Sequence, residues 1–377
     1  MPAKVLFFIS SLEQGGAERQ IAELVKGLDP RRFEAHVAVC NETDQLGYDL
    51  PFVSKTPLGA PMGPEPKTLL RLVSLLKKLR PDLLHSYLGH QNVYGRLAVR
   101  LSGVGKAIGS VRCTRLSAQY IRHERLTHRF TDALIVNSQG IKDELVERAK
   151  LRPERIDVVE NGVDGRRFRP LSESERHDER VRFGLTGTAI VVPGRISDQK
   201  NQIAIVRALS KLRSRGLLSS DLHVFFAGRQ EASTRYGTFL RAELALRWLG
   251  GSVKFLGIVR DVERLVGAAD AVLLPSKYEG LPNAVLEAMA VGTPVLVSPA
   301  ANADRLVSVG RGIGPEGVAL AGDDPESIAQ GIASFLETSN FVRTKMGQSG
   351  RAHVERRFTV ETMVSRTMAI YDRVLST

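Results

Sequence analysis

The chain has 377 residues, 43% of them hydrophobic and 25% charged, with a formal charge of +12. That is the composition of an ordinary soluble globular protein of two or three domains. No apolar run approaches the roughly 18 residues of a membrane span. Cys40 and Cys113 belong to no Cys/His cluster, which argues against a disulfide scaffold or a thiolate metal site and for a reducing compartment.

In chain order, Val5–Ile9 reads as a buried strand and Ser10 to Gly16 as a turn. Ala17–Leu28 reads as an amphipathic helix with Ile21, Leu24, Val25 and Leu28 on one stripe. The start, MPAKVLFFISSLEQGGAE, turns polar straight after a brief apolar run, which fits a first strand and not a signal peptide. Strand, Gly15-Gly16, then helix is a phosphate-cradling arrangement, because glycine lets backbone N–H groups approach an anion closely. No G-x-G-x-x-G is present, which counts against a standard dinucleotide fingerprint.

Phe33–Cys40 reads as a second strand, and the Pro- and Gly-rich stretch from Tyr48 to Pro66 as an irregular connection. Lys67–Leu79 is an amphipathic helix whose polar stripe, Lys67, Arg71, Ser74 and Lys78, gives it a basic edge. Leu83-Leu84 ends a strand, and His85, Tyr87 and His90 are expected in the loop beyond it, where ligands gather in α/β proteins. A loop histidine suits proton exchange or hydroxyl binding near neutral pH, although many such residues do neither. Arg112 and Arg115, near the next strand end, suit an anionic acceptor group. Residues 66 to 130 carry thirteen Lys and Arg against only Asp82 and Glu124. This one-sided field favours an acidic partner such as anionic lipid, phosphorylated substrate or nucleic acid, against the plainer alternative of a solvated basic face.

Ala133–Val136 and the segment around Ile156 to Pro170 lead to the end of a first domain, and the polar run Ser172–Glu179 reads as a surface linker. Strand–loop–helix restarts at Ala189, with Arg195 and Lys200 between a strand and the Asn201–Leu212 helix. Two cations five residues apart can grip a diphosphate and neutralise charge on a leaving group, though most surface cation pairs do nothing of the kind. From Asp270 to Pro299 the chain reads as a short apolar strand, a break at Pro275, and a loop with Glu279 and Gly280. A helix then opens near Asn283, stops at Gly292 and Pro294, and gives way to a strand over Val295–Val297. The helix is apolar on nearly every side, so it is buried, yet it carries Glu287, which needs a partner there. Glu279, Glu287 and the helix N-terminus, with residues Leu281, Pro282 and Asn283, outline an anion site flanked by two acids. An internal ion pair for Glu287 is the competing reading.

Glu279 and Glu287 enclose seven residues within EGLPNAVLEAMAVGTPVL. This closely resembles the E-x7-E signature of the retaining glycosyltransferases of family 4. Gly194, Arg195, Lys200 and Asn201 match the family's G-R-x-x-x-x-K-x motif, and Asn161 to Asp164, Phe168 and Pro170 match its N-G-V-D-x-x-x-F-x-P junction. His85, Ser86, His90 and Asn92 match part of His-Ser-His-x-x-His-x-Asn, with Tyr87 at the central histidine.

The resemblance implies an α/β chain of GT-B fold: two Rossmann-like domains facing a cleft. Residues 1–170 would bind the acceptor, 171–357 the nucleotide sugar, and 358–377 would form a helix returning to the first domain. It implies that Glu287 binds the ribose, that Glu279 lies beside the transferred sugar, and that Arg195 and Lys200 stabilise the departing diphosphate with N–H groups at Gly16 and near Leu281–Asn283, in a donor site that also takes in Gly15, Gly280 and Pro282. Backbone at Ile258 and Val259, after Gly257, would read the nucleobase, and His90 is the choice for an acceptor contact.

The expected activity is retaining, metal-independent glycosyl transfer from a UDP-sugar, or a GDP-sugar, without a resident cofactor. The expected acceptor is a glycan or lipid-linked saccharide in surface-polysaccharide or lipopolysaccharide assembly, with the protein cytoplasmic and docked on an anionic membrane. A nucleotide-sugar epimerase of the same fold and a non-catalytic sugar-nucleotide sensor remain alternatives. A nucleic-acid binder is disfavoured by 6% aromatic residues and the lack of a stacking motif.

Overall fold

The computed structural model describes residues 1–12, 15–41, 50–59, 65–229, 235–309 and 311–377. Parts of the Ser10–Gly16 turn, of the Tyr48–Pro66 connection and of the turn after Ala227 lie outside them. The chain divides into two compact units, residues 1–162 with 360–377, and residues 163–359.

The first unit runs β1 (Ala3–Ile9), α1 (Gly16–Gly27), β2 (Phe33–Val39), β3 (Ser54–Pro57), α2 (Pro66–Leu79), β4 (Leu83–Tyr87), α3 (Gly89–Ser102) and β5 (Lys106–Val111). It continues with α4 (Ala118–Thr127), β6 (Ala133–Val136), α5 (Gln139–Ala149) and β7 (Ile156–Val158). The sheet is parallel, in the order β3-β2-β1-β4-β5-β6-β7. Both faces are covered, so the central strands are near-continuous apolar runs, as Val5 to Ile9 shows.

The second unit runs α6 (Glu173–Phe183), β8 (Thr188–Pro193), α7 (Gln202–Ser214), β9 (Leu222–Ala227), α8 (Arg235–Leu246), β10 (Val253–Gly257), α9 (Val262–Ala268), β11 (Ala271–Leu274) and α10 (Asn283–Ala290). It ends with β12 (Val295–Val297), β13 (Gly312–Ile313), β14 (Gly317–Ala319), α11 (Pro325–Leu336) and α12 (Asn340–Arg357). Its sheet order is β10-β9-β8-β11-β12-β14-β13, parallel except for the edge strand β13. The last helix, α13 (Val360–Leu375), belongs to the first unit. There Met363, Val364, Ile370, Tyr371 and Val374 join the core beside α1 and β1.

Several elements differ from the expectations. The 48–66 connection contains β3, a polar edge strand paired with β2 from His36↔Ser54 to Val39↔Pro57. The Ser172–Glu179 run is not a linker but the start of α6: Ser172 and Glu175 form a capping box that satisfies two of the helix's unpaired N–H groups. Residues 163–170 pack with the second unit, where Val163 and Phe168 enter its core. The switch falls there because Val163 pairs with Thr359 and its N–H bonds to the Phe358 carbonyl, closing the two ends of the second unit together.

Candidate functional site

In the second unit β8 lies between β9 and β11, so consecutive strands diverge to opposite sides of the sheet at the β8/β11 boundary. Ligands of open α/β sheets bind at the carboxyl ends of strands at such a switch point. Two loops meet there, one leaving β8 through Gly194 to a 3-10 turn at Asp198–Lys200, the other leaving β11 over residues 275–282.

The loops are fastened to each other. Lys277 N–H donates to the Gln199 carbonyl at 2.9 Å, and Gln199 Nε2 donates to the Tyr278 carbonyl at 3.0 Å. Lys277 Nζ pairs with Asp198. Asn201, in the left-handed conformation that asparagine tolerates, donates from Nδ2 to the carbonyls of Pro275 (3.2 Å) and Asp323 (2.7 Å).

This framework brings Lys200 Nζ to 2.6 Å from Glu279 Oε1, with side chains only 17% and 11% exposed. The lysine stem runs over Gly194, where an added Cβ would stand 3.1 Å from Lys200 Cε on a backbone at φ 131°. Gly228 is tighter: a Cβ there would meet the Gly194 carbonyl oxygen at 2.0 Å. Glycine at both positions lets the ends of β8 and β9 lie flat beneath the lysine. Arg195 is exposed, and its guanidinium has no carboxylate partner among the described residues. Ile258 and Val259 follow Gly257 at the end of β10, one strand further along; Gly257 accepts from Gly228 N–H at 2.7 Å.

Helix α10 starts immediately after Gly280, Leu281 and Pro282, all buried, and has no side-chain cap. Its residues Val285 to Ala290 are buried, and Glu287 among them is 5% exposed. Burial of Val285 and Leu286 contributes about 1.5–3 kcal/mol each, which pins the helix under the 275–282 loop. The structure thus brings Lys200 and Glu279 into contact. It places Arg195, Ile258, Val259, Gly280 to Asn283 and Glu287 on loops or a helix at the same strand ends.

The first unit has its own switch point, between β1 and β4. Gly15 is the N-cap of α1 and Gly16 its first residue, following β1. His90, half-buried, stands in the first turn of α3, following β4. The turn between is strained: Leu88 has φ 72°, a conformation that costs about 1–3 kcal/mol and clusters at functional sites.

His85 and Tyr87 do not join His90 in a loop; both lie within β4 and are buried. His85 Nδ1 is 2.7 Å from Tyr371 Oη, and Nε2 is 2.8 Å from Ser110 Oγ. Burial, and then the Arg112 charge, hold its imidazole well below the ordinary range, so it is neutral. Burial pushes the Tyr87 phenol up to about 12, and the Arg112 guanidinium lies 5.3 Å from the Tyr87 ring centroid. Arg112 also donates to Asn161 Oδ1 at 2.7 Å. Ser86 and Asn92 are buried and bonded to each other at 3.0 Å. His85, Ser86, Tyr87 and Asn92 are thus bonded within the unit and closed to solvent, with Arg112 partly exposed beside them.

The chain matches two family models, Glycosyltransferase Family 4 over residues 14–167 and Glycosyl transferases group 1 over residues 187–338. It is 30% identical over 318 residues to the D-inositol 3-phosphate glycosyltransferase of Salinispora arenicola, covering 78% of this chain and 69% of that one. The chain belongs to the group 1, family 4 glycosyltransferases. A second family member is the UDP-Gal:alpha-D-GlcNAc-diphosphoundecaprenol alpha-1,3-galactosyltransferase of Escherichia coli, 29% identical over 243 residues. That alignment covers 62% of this chain and 61% of the galactosyltransferase, less than two thirds of its length. Among solved structures, Anabaena Alr3699/HepE in complex with UDP-glucose superposes with a TM-score of 0.83 at 22% identity, covering 99% of this chain and 100% of that one. The fold is therefore GT-B.

The family motifs lead to Lys200 and Glu279 but not to what holds them. Asp198, Gln199 and Lys277 carry no motif of their own, and their bonds join positions 78 or 79 apart in sequence. The one available signal was proximity: each adjoins a motif residue.

Proposed function

We propose that the chain is a retaining, metal-independent glycosyltransferase that moves a sugar from a nucleotide-diphosphate donor to a lipid-linked saccharide in surface-polysaccharide assembly. The observation that carries this reading is the Lys200–Glu279 contact at the β8/β11 switch point, with Arg195, which has no carboxylate partner among the described residues, on the same loop after β8. A lysine already held by one carboxylate is preorganised, so it neutralises a departing diphosphate without reorganising at the moment of reaction. Arg195 supplies the second cation, and the start of α10 supplies N–H donors and the positive end of a helix dipole. Glu287 holds the ribose hydroxyls, backbone at Ile258 and Val259 meets the base, and Glu279 orients the sugar where positive charge develops on its anomeric carbon. Gly15 and Gly16 offer backbone donors in the first unit, and His90 contacts the acceptor hydroxyl.

A UDP-sugar is the favoured donor: the Escherichia coli relative is named for UDP-Gal, and its acceptor is a diphosphoundecaprenol-linked sugar. No helix among the described residues is long and apolar enough to cross a membrane, and a lipid-linked acceptor is met at the bilayer surface. Helix α2 suits this. Lys67, Lys77 and Lys78 are exposed, and Leu70 beside them is 67% exposed. Basic side chains flanking an apolar one are attracted to anionic headgroups.

Thermal denaturation with UDP, GDP, ADP and their sugar conjugates, with and without EDTA, tests the donor site, because a ligand that binds the native state raises Tm by mass action. A rise for one nucleotide class that is insensitive to EDTA and lost in Lys200→Ala is the expected result. A folded protein that responds to no nucleotide overturns the reading. Nucleotide-sugar conversion without an acceptor indicates the epimerase alternative.

A further inference from the structure

A cavity of about 470 Å³ opens on the first unit, far along its strands from the switch point. Its lining comes from the last turn of α3 (Arg100), the residues just before β6 (Arg129, Phe130, Thr131, Asp132) and the residue just before β7 (Arg155). These positions lie at the amino-terminal edge of a parallel sheet, whereas Gly15, Gly16 and His90 follow carboxyl ends. The cavity is therefore separate from the site described above.

Three guanidinium groups surround it. Arg100, Arg129 and Arg155 are all exposed, and none has a carboxylate partner among the described residues, in a chain where many other arginines do. Arg129 is oriented by its own neighbour: its guanidinium stands 4.8 Å from the Phe130 ring centroid. The single carboxylate in the lining, Asp132, is engaged elsewhere. It accepts from Ala107 N–H at 2.7 Å and faces Lys106 Nζ at 3.9 Å. Thr131, 7% exposed, keeps a hydroxyl with no hydrogen-bond partner. Three like charges around one concavity repel each other, and an anion between them removes that cost. Planar guanidinium forks bind tetrahedral oxyanions with paired hydrogen bonds.

We infer that this cavity binds a phosphoryl group through Arg100, Arg129 and Arg155. The phosphoryl group belongs either to a soluble phosphate compound or to a lipid headgroup, and the two sources call for separate measurements.

Calorimetric titration with pyrophosphate is performed on Lys200→Ala protein, so that the proposed donor site does not contribute. Saturable binding in the millimolar range or tighter is expected. It weakens by about tenfold or more when Arg129→Ala or Arg155→Gln is added, the loss typical of one charge-assisted contact. Both side chains are exposed, and an unchanged melting temperature verifies that each variant is folded. In a second arm, flotation with phosphatidylglycerol and phosphatidylcholine vesicles is repeated for the same variants. Pyrophosphate binding without vesicle dependence on these arginines identifies a soluble ligand. Arginine-dependent retention on phosphatidylglycerol alone, relieved by pyrophosphate, identifies a headgroup. Absence of saturable pyrophosphate binding, or binding indifferent to both substitutions, overturns the inference.

Discussion

Two ion pairs, one in each unit, share their chemistry but differ in setting. Arg96 and Glu124 in the first unit meet at 2.8 Å with both side chains 0% exposed. Lys200 and Glu279 meet at 2.6 Å but stand at strand carboxyl ends, where a ligand can reach them. Arg96 projects from α3 against α4, where Tyr120 and Thr127 complete the cluster around it. Its Nε and Nη2 nevertheless lack partners. A sealed pair of this kind stabilises little by itself, because desolvation consumes the Coulomb gain, but it is costly to break. Position in the sheet, not charge, separates the sealed Arg96–Glu124 pair from the pair proposed to act on the donor.

Four measurements probe this contrast. Arg96→Met leaves the buried Glu124 carboxyl without its cation, and a loss of about 3–5 kcal/mol in urea unfolding is expected. Adding Glu124→Leu recovers most of that loss, and a double variant as unstable as the single one contradicts the account. Lys200→Ala has the reverse profile: a small change in unfolding free energy, but a fall in turnover of roughly 100- to 1,000-fold, as for loss of one preorganised charge-stabilising group. Turnover near wild type refutes the role given to the second pair.

Tyr371→Phe removes one of the groups bonded to His85, and a stability loss of about 1–3 kcal/mol follows, with little effect on nucleotide binding by the second unit. The smallest effect is that of pH. His85 is held neutral by burial, so between the ordinary imidazole pKa near 6.5 and its depressed folded value only the unfolded chain takes up the proton. Stability is full above that ordinary value and falls as the pH drops below it, by up to about 1.4 kcal/mol per pH unit for the group. His353, lowered by burial in the second unit, acts in the same sense. Substituting His85→Gln should flatten the acid limb only in part, and an unaltered limb shows that His85 does not contribute.

Much of the second unit is legible in the sequence, because its strands are short apolar runs and its chemistry sits in loops bounded by glycine and proline. The buried α10 follows from such local signals, whereas Lys200 and Glu279 stand out only through their match to the family motifs. The first unit hides more. His85, Ser86 and Tyr87 look like a polar loop, yet they are strand residues whose polarity is satisfied by Ser110, Asn92 and the distant Tyr371. Strand β3 is masked by its edge position and by Pro57, which needs no ladder donor at that end. Arg96 is indistinguishable in sequence from the exposed arginines around it, since no periodicity marks a partner 28 residues away. Helix α6 is the exception, because its S-x-x-E capping signal, Ser172 with Glu175, stands in the sequence inside a run whose polarity suggests a linker.

The return of α13 to the first unit also sets an order of events during synthesis. Residues 163–359 form a contiguous stretch and have their whole core as soon as they have left the ribosome. The earlier-made residues 1–162 do not: Met363, Ile370 and Tyr371 must arrive before β1, β2 and β4 are sealed. Residues 1–162 are thus completed only after residues 163–359, and the nascent chain carries an open apolar seam beside α1 until α13 is made.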